Sequence, residues 1–272
     1  MGVHVNVLNC ALRNFPIVKK STSLFQAVKA MDRYGLDRVL VVDGDLSGIL
    51  TKWDVAMKLG LPRSLSVSTG RFKVSGFMNS DVKFVSPDAS VLDVARVMVK
   101  YNIGSVPVVG DHGVEGLVTR WEVLRCSDPL RGLRVSDALK VIPVALKPSD
   151  RIVYARKLMV EYDLSYLPVI SGDGELMGYI TIEEIVRALI DLHDNVEIKY
   201  RRKRLETMLV SDYMRYKPLK VSSTTSLLEV YNMMVDKKCR GVVVLSNERV
   251  VGIITLKQLV EKIVEKTSVL ST

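Results

Sequence analysis

Cysteine and histidine are scarce in this chain, three of each in 272 residues. Cys10, Cys126 and Cys239 are scattered and odd in number, a usage that predicts a reducing compartment with no disulfide or zinc framework. His4, His112 and His193 lie far apart, and no pair has metal-ligand spacing, so no metal site is expected. His112 reads as a hairpin-turn residue. No apolar run approaches the roughly 20 residues that cross a bilayer, and the N-terminus carries no signal-peptide pattern. Together these set the expectation of a cytoplasmic chain without membrane insertion. No glycine-rich loop followed by Lys-Ser/Thr is present to cradle phosphates. The chain is therefore expected not to be an enzyme and to need no catalytic cofactor. Helix-turn-helix, zinc-finger and aromatic stacking patterns are missing as well.

What is present is apolar, basic and repetitive. Hydrophobic residues make up 48% of the chain and the formal charge is +9. That balance favours anionic partners in general, nucleotide, nucleic acid or acidic protein, without choosing among them. The densest basic run, Lys199 to Arg204, reads as a solvated helix face, with Glu197 four residues before Arg201 and Glu206 four after Arg202.

One segment occurs four times: Gly48-Ile49-Leu50-Thr51-Lys52-Trp53-Asp54, then from Gly116 to Glu122, from Gly178 to Glu184 and from Gly252 to Gln258. A recurrence at roughly 60–75 residues is too long for helix-pair solenoids and suits a small α/β unit. In the second copy, Lys83 to Val85 is a short strand. Ser90 to Tyr101 spaces Val91, Val94, Ala95, Met98 and Val99 as an amphipathic helix. Val106 to Val109 and Val114 to Val118 are strands joined by the turn-forming Gly110-Asp111-His112-Gly113. A second helix starts at Thr119. The order strand-helix-strand-strand-helix predicts an α+β fold of four such units, 1–66, 67–128, 129–194 and 195–272. Each leaves an apolar face uncovered, so units are expected to pair, one with two and three with four. The punctuation between the pairs is Ser127-Asp128-Pro129 with Gly132, and the charged stretch from Asp191 to Glu206 is expected to be helical.

These marks resemble the CBS domain. The resemblance rests on the Gly-x-x-Thr-x-x-Asp/Glu segments, on Val106-Pro107-Val108-Val109 with its counterpart Leu167-Pro168-Val169-Ile170, and on the leads Val74 to Met78 and Val210 to Met214. It covers nearly the whole chain and implies four CBS repeats in two tandem Bateman modules, similar to adenine-nucleotide-sensing CBS proteins of the AMP-activated protein kinase gamma-subunit kind.

The Thr-x-x-acid segments have two readings. Thr-x-x-Glu at a helix start is a capping box, and Glu122, Glu184 and Gln258 suit it. Asp54, one methylene shorter, is expected to reach back less well. The resemblance implies instead that the motif aspartate holds a ribose diol, with charge-assisted bonds. Carried over strictly, that gives Thr51 and Asp54. Thr119 with Glu122 and Thr181 with Glu184 are substitutions of the same pattern. Thr255 is followed by the uncharged Gln258, so the fourth site is expected to be empty or altered. The resemblance also places a phosphate-binding arginine at Arg38, where the other copies have Ser105, Tyr166 and Gly241. Lys52 and Arg120 are further cation candidates. The base is expected against Ile17, Lys83 and Pro143-Val144, with Val39, Val106-Pro107 and Leu167-Pro168.

The function expected from this is a sensor. The protein binds AMP, ADP or ATP as a regulatory ligand in clefts between paired repeats and controls a separate, unknown protein. A nucleic-acid-associated protein using residues 199–204, an S-adenosylmethionine module and a purely structural interaction protein whose four motifs are helix caps are the alternatives, and a homodimer is one further assembly open to it.

Overall fold

The hairpin is the centre of each repeat, and its chemistry is local. The computed structural model describes residues 5–127, 130–142 and 144–269. Repeat one consists of β1 (Ile17–Val18), α1 (Leu24–Tyr34), the hairpin β2 (Arg38–Asp43) and β3 (Asp45–Thr51), and α2 (Lys52–Leu59). Repeat two has α3 (Val91–Lys100), β4 (Ser105–Gly110), β5 (Gly113–Thr119) and α4 (Arg120–Cys126). Its first strand is reduced to a parallel bridge between Val85 and Val108. After α5 (Val135–Ala138) and β6 (Lys140–Val141), repeat three follows with α6 (Ile152–Glu161), β7 (Tyr166–Ile170), β8 (Leu176–Thr181) and α7 (Ile182–Asn195). After α8 (Ile198–Leu205) and β9 (Arg215–Tyr216), repeat four has β10 (Lys220–Ser222), α9 (Leu227–Lys237), β11 (Gly241–Ser246), β12 (Arg249–Thr255) and α10 (Leu256–Val269). With the first strand of repeat three likewise reduced to a parallel bridge, between Leu146 and Val169, the expected unit order is present four times. The hairpin turns fall at Gly44, at Asp111-His112 as expected, at Gly174 and at Asn247-Glu248. Asp128-Pro129 of the expected punctuation, Pro143 of the expected base wall and His4 lie outside the described residues.

The first helices form for reasons written in the sequence. Ser23 and Gln26 close a capping box at the start of α1, and Gly35, at φ 64°, ends it in the left-handed region. Met31, Met98, Met159 and Met234 are all buried at the same place on the first helix of each repeat.

The leads were not expected to do what they do. Each one completes the sheet of the neighbouring repeat rather than its own. Leu12, ahead of repeat one, exchanges backbone hydrogen bonds with Leu117 of repeat two at 2.9 and 3.1 Å. Asn79, ahead of repeat two, does the same with Ile49 of repeat one at 2.8 and 2.9 Å. In the second half β6 pairs with β12, and β9 with β8, both antiparallel. Repeats one and two thus trade leads, and so do three and four.

The recurring glycine of the motif is explained by this exchange. A Cβ at Gly178 would lie 2.5 Å from the carbonyl oxygen of Arg215, and one at Gly252 2.5 Å from that of Lys140. At Gly48 it would meet Met78 Sδ at 2.7 Å and the Asn79 oxygen at 3.0 Å, and at Gly116 the Ala11 Cβ at 2.8 Å. The glycine is the space into which the lead backbone fits.

Helix packing sorts the repeats differently from chain order. One compact unit comprises Phe15–Val82 and Pro143–Pro218, the other Met1–Asn14, Lys83–Ile142 and Leu219–Thr272. In the first, α2 packs on α7; in the second, α10 packs on α3 and α4. The compact units therefore do not coincide with residues 1–128 and 129–272. The reason is that the lead exchange satisfies strand edges, while the apolar helix faces find their cover on the repeat two places along the chain. In the first unit Arg156 of α6 donates to the carbonyl of Ala56 at 2.7 Å and to that of Met57, where the negative end of α2 attracts a cation. The core of the second unit includes Val94, Met98, Val123, Met234, Leu259 and Ile263.

Two sequence expectations are corrected here. Cys10 and Cys126 form a disulfide, against the expectation of none. They are 116 residues apart, and it is the traded lead that carries Cys10 to the end of α4, where Arg125 also binds the Cys10 carbonyl at 3.0 Å. Cys239 remains a thiol, its pKa pushed up by burial. The run 199–204 is helical, but Arg201 is not on a solvated face. It is buried and donates to the carbonyls of Val196, Leu65, Val67 and His193. Glu197 pairs with Lys199 instead, at 3.1 Å, while the expected Arg202–Glu206 pair forms at 3.7 Å. No helix among the described residues is long and apolar enough to cross a membrane.

The close approach at the motif glycine gives a direct test. Gly178→Ala and Gly252→Ala should each destabilise by about 1–3 kcal/mol, the cost of forcing an extra carbon against packed backbone. Gly70→Ala, whose Cβ meets open space, should change little. Urea unfolding of the three variants measures this, and equal stability would remove the explanation.

Candidate functional site

At the end of each hairpin the chain turns from strand to helix, and the motif threonine is the residue at the turn. All four motifs close on themselves. In repeat one the Thr51 amide and hydroxyl donate to Asp54 Oδ2 at 2.8 and 2.5 Å, and the Asp54 amide donates to Thr51 Oγ1 at 3.2 Å. Thr119 and Glu122 (2.9 and 2.5 Å), Thr181 and Glu184 (2.9 and 2.5 Å), and Thr255 and Gln258 (3.0 and 2.6 Å) repeat the arrangement. The expectation that Asp54 caps less well than glutamate is therefore corrected. The carboxylate lies close enough above the first turn for the shorter chain to reach.

What distinguishes the copies is the second oxygen and the residue across the hairpin. In repeat one Arg38 stands directly opposite Thr51. Its side chain is only 9% exposed, and Asp37 Oδ1 accepts from its Nε at 2.7 Å. Asp54 is half-buried, and no side chain among the described residues bonds its Oδ1. The strand that carries Arg38 and the helix that carries Asp54 thus meet at one turn, marked by Thr51. In repeat two Ser105 faces Thr119. Its buried Oγ has no hydrogen-bond partner among the described residues, and Glu122 of the same turn is buried. Arg120 turns away, towards the Ile103 carbonyl at 3.4 Å and a recess that it lines with Met98, Asn102 and Lys257. In repeat three Tyr166 faces Thr181 and stacks on Tyr179 at 4.8 Å. There Glu184, 1% exposed, accepts from Arg215 Nε at 2.5 Å through its other oxygen. In repeat four Gly241 faces Thr255 and no charge is present in the pair.

Lys52, expected as a phosphate cation, has another task. It is buried and bonds Asp32 Oδ1 and Glu183 Oε1, both at 2.7 Å, joining repeat one to repeat three. Burial alone would depress its pKa, but the hydrogen bonds and charges of these two carboxylates outweigh burial and hold it above the usual lysine value. Among the expected base contacts, Ile17 is 53% exposed, whereas Val39, Val106 and Leu167 are wholly buried. Pro107 and Pro168 are buried with them, and Val144 is half-buried. Lys83 lies over the Tyr101 ring at 5.1 Å. Sequence reading did not single out Asp32, Asp37, Glu183 or Arg215. For Arg215 a signal existed, since it directly follows the lead Val210 to Met214. Among the described residues no group of three or more His, Cys, Asp or Glu is placed to hold a metal ion.

A fold of four strand-helix-strand-strand-helix repeats, each with a capped acidic or amide residue at its strand-to-helix turn, defines a tandem-repeat α+β protein. The chain belongs to the CBS-domain family: the family model matches residues 8–60, 74–128, 135–191 and 210–265. It is similar to an inosine-5'-monophosphate dehydrogenase of Korarchaeum cryptofilum, 33% identical over 113 residues, covering 42% of this chain and 23% of that one. A homoserine O-acetyltransferase of Methanohalobium evestigatum is 28% identical over 157 residues, covering 57% of this chain and 29% of that one. The chain thus spans less than a third of these relatives' length. Among solved structures, a Methanocaldococcus jannaschii protein described as a candidate archaeal homolog of g-AMPK superposes with a TM-score of 0.82 at 20% identity, covering 95% of this chain and 100% of that one. An uncharacterized conserved protein from Pyrococcus horikoshii superposes with a TM-score of 0.63 at 16% identity, covering 94% and 99%. Both likenesses concern the fold.

The Lys52 network predicts a stability change with a definite pH dependence. Lys52→Met leaves Asp32 and Glu183 half-exposed, so water re-solvates them, and the loss should be about 1–3 kcal/mol rather than that of a fully buried pair. A group whose pKa is raised on folding contributes fully below its ordinary value and loses that contribution as pH rises through the raised one. The difference between wild type and variant in urea unfolding should therefore stay constant through neutral pH and shrink only above the ordinary lysine value of 10.5.

Proposed function

We propose that this chain is a regulatory protein that binds an adenine nucleotide, AMP first, at the strand-to-helix turn of repeat one, and that ADP and ATP are further ligands of the same site. The observation that carries the reading is the convergence of Arg38, Thr51 and Asp54. Asp54 uses one carboxylate oxygen as a cap and keeps the other for a ribose hydroxyl. Arg38, nearly buried, paired with Asp37 and directly across from Thr51, supports a phosphate-binding role. Charge-assisted bonds of both kinds are strong and directional. S-adenosylmethionine offers the same ribose diol but no phosphate, so the buried arginine favours a nucleotide over it. Membership of the CBS family supports a regulatory role, in which the ligand biases the conformation of a module that acts on a separate protein. Such a shift can be no larger than the ligand's differential affinity for the two states.

Asp54→Asn separates binding from capping, because the amide oxygen still accepts from the Thr51 amide while the ionised acceptor is lost. Hydrogen bonds to charged groups contribute about 1.5–3 kcal/mol, so AMP affinity should fall roughly ten- to a hundred-fold, at 1.4 kcal/mol per decade, with little change in ligand-free stability. Arg38→Ala should weaken AMP while leaving adenosine nearly unaffected. Isothermal titration of wild type and both variants measures these, and an affinity for AMP indifferent to Asp54 would remove the site.

A further inference from the structure

We propose that Arg215 is a built-in occupant of the third motif, taking the carboxylate oxygen of Glu184 that a ribose would need, so that repeat three is closed to nucleotide while repeat one is open. This rests on the reading of repeat one given above and extends it to which repeats bind.

The four leads allow an internal comparison. Leu12, Asn79, Lys140 and Arg215 hold the same register, each opposite the residue that follows a motif glycine: Leu117, Ile49, Ile253 and Tyr179. The register is the same in all four, while the side chain at that position differs. Leu12 has no polar atom to offer Glu122. Asn79, beside the turn of repeat one, spends its Oδ1 on the Asp81 amide at 2.9 Å. Lys140 stands beside the one motif whose final residue is an uncharged amide, Gln258. Arg215 alone among the described lead residues reaches a motif carboxylate, Glu184 Oε1, at 2.5 Å, while Glu184 Oε2 is already engaged by Thr181.

Both oxygens of Glu184 are therefore committed, and the residue is 1% exposed. A ribose hydroxyl is neutral. To enter, it would have to displace a guanidinium from a buried carboxylate, exchanging an ion pair in which both partners are charged for a hydrogen bond to a neutral donor. Arg215 also approaches Glu183 Oε2 at 3.4 Å, and Glu183 holds Lys52 beside Thr51. The occupied turn of repeat three is thus tied by ion pairs to the first residue of α2, the helix that carries Asp54.

The test counts sites in the full chain with AMP as the probe, by isothermal titration and by mass spectrometry under native conditions. Arg215→Ala should bind one more AMP than wild type, and the added site should disappear in the Arg215→Ala/Glu184→Ala double variant. Asn79→Arg, which places the same side chain beside Asp54, should bind one fewer. An unchanged count in a folded Arg215→Ala protein overturns the proposal, including the case in which neither protein binds AMP. Should Arg215→Ala fail to fold, Asn79→Arg decides: loss of one site supports the proposal and an unchanged count overturns it. The two readings fail separately. Affinity indifferent to Asp54→Asn removes the site of repeat one, whereas the gain or absence of a site on removing Arg215 is read independently of it.

Discussion

Everything in this molecule depends on the approach of a lead backbone to the glycine of its neighbour's hairpin. An isolated repeat would expose the outer edge of its last strand, with unpaired amide and carbonyl groups. Here that edge is covered by the lead of the adjacent repeat, which comes so near that a single carbon on the glycine would lie 2.5 Å from its carbonyl oxygen in the second half of the chain. The exchange ties repeat one to two and three to four through the chain itself. It leaves the helix faces free to pack on repeats two places further along. The same exchange brings Cys10 to Cys126, and it brings Arg215 to Glu184.

The strand-to-helix turn is where structural and binding roles share one side chain. Capping needs one oxygen of the acidic residue and recognition needs the other, so the two are compatible and a capping box is no argument against a site. What decides between copies is the setting of the second oxygen. A buried arginine stands across the hairpin from the turn in repeat one, and in repeat two a serine whose hydroxyl has no hydrogen-bond partner among the described residues. The second oxygen is bonded by an arginine in repeat three, and it is missing as a charge in repeat four. Four copies of one motif have thereby become four different chemical environments on one backbone plan.

Charges that look alike in composition also do different work. Lys52 and Arg201 belong to a strongly basic chain, yet neither contributes to a basic surface. Lys52 bridges two carboxylates, and Arg201 gathers four backbone carbonyls from the segments around Leu65 and His193. Arg201 holds irregular backbone in place by satisfying carbonyls withdrawn from water.

The sequence by itself determined the repeats, the order of their elements, the hairpin turns, the helix starts and the position of Thr51 and Asp54. All of these follow from interactions within a few residues: alternation and helical spacing, turn chemistry at Gly44 and Asn247, and a hydroxyl followed three residues later by an acid. Arg38 was reached only because a family resemblance marked its position. Tertiary structure alone decided the rest, because each remaining feature joins residues far apart in the chain. No local pattern reports that Cys10 meets Cys126, that Arg201 is inward while Arg202 is outward, or that Lys52 serves Asp32 and Glu183. The recurring glycine was visible as a letter, but its reason, the backbone of another repeat lying against it, was not. The same holds for Arg215, whose effect on Glu184 exists only because the leads are traded.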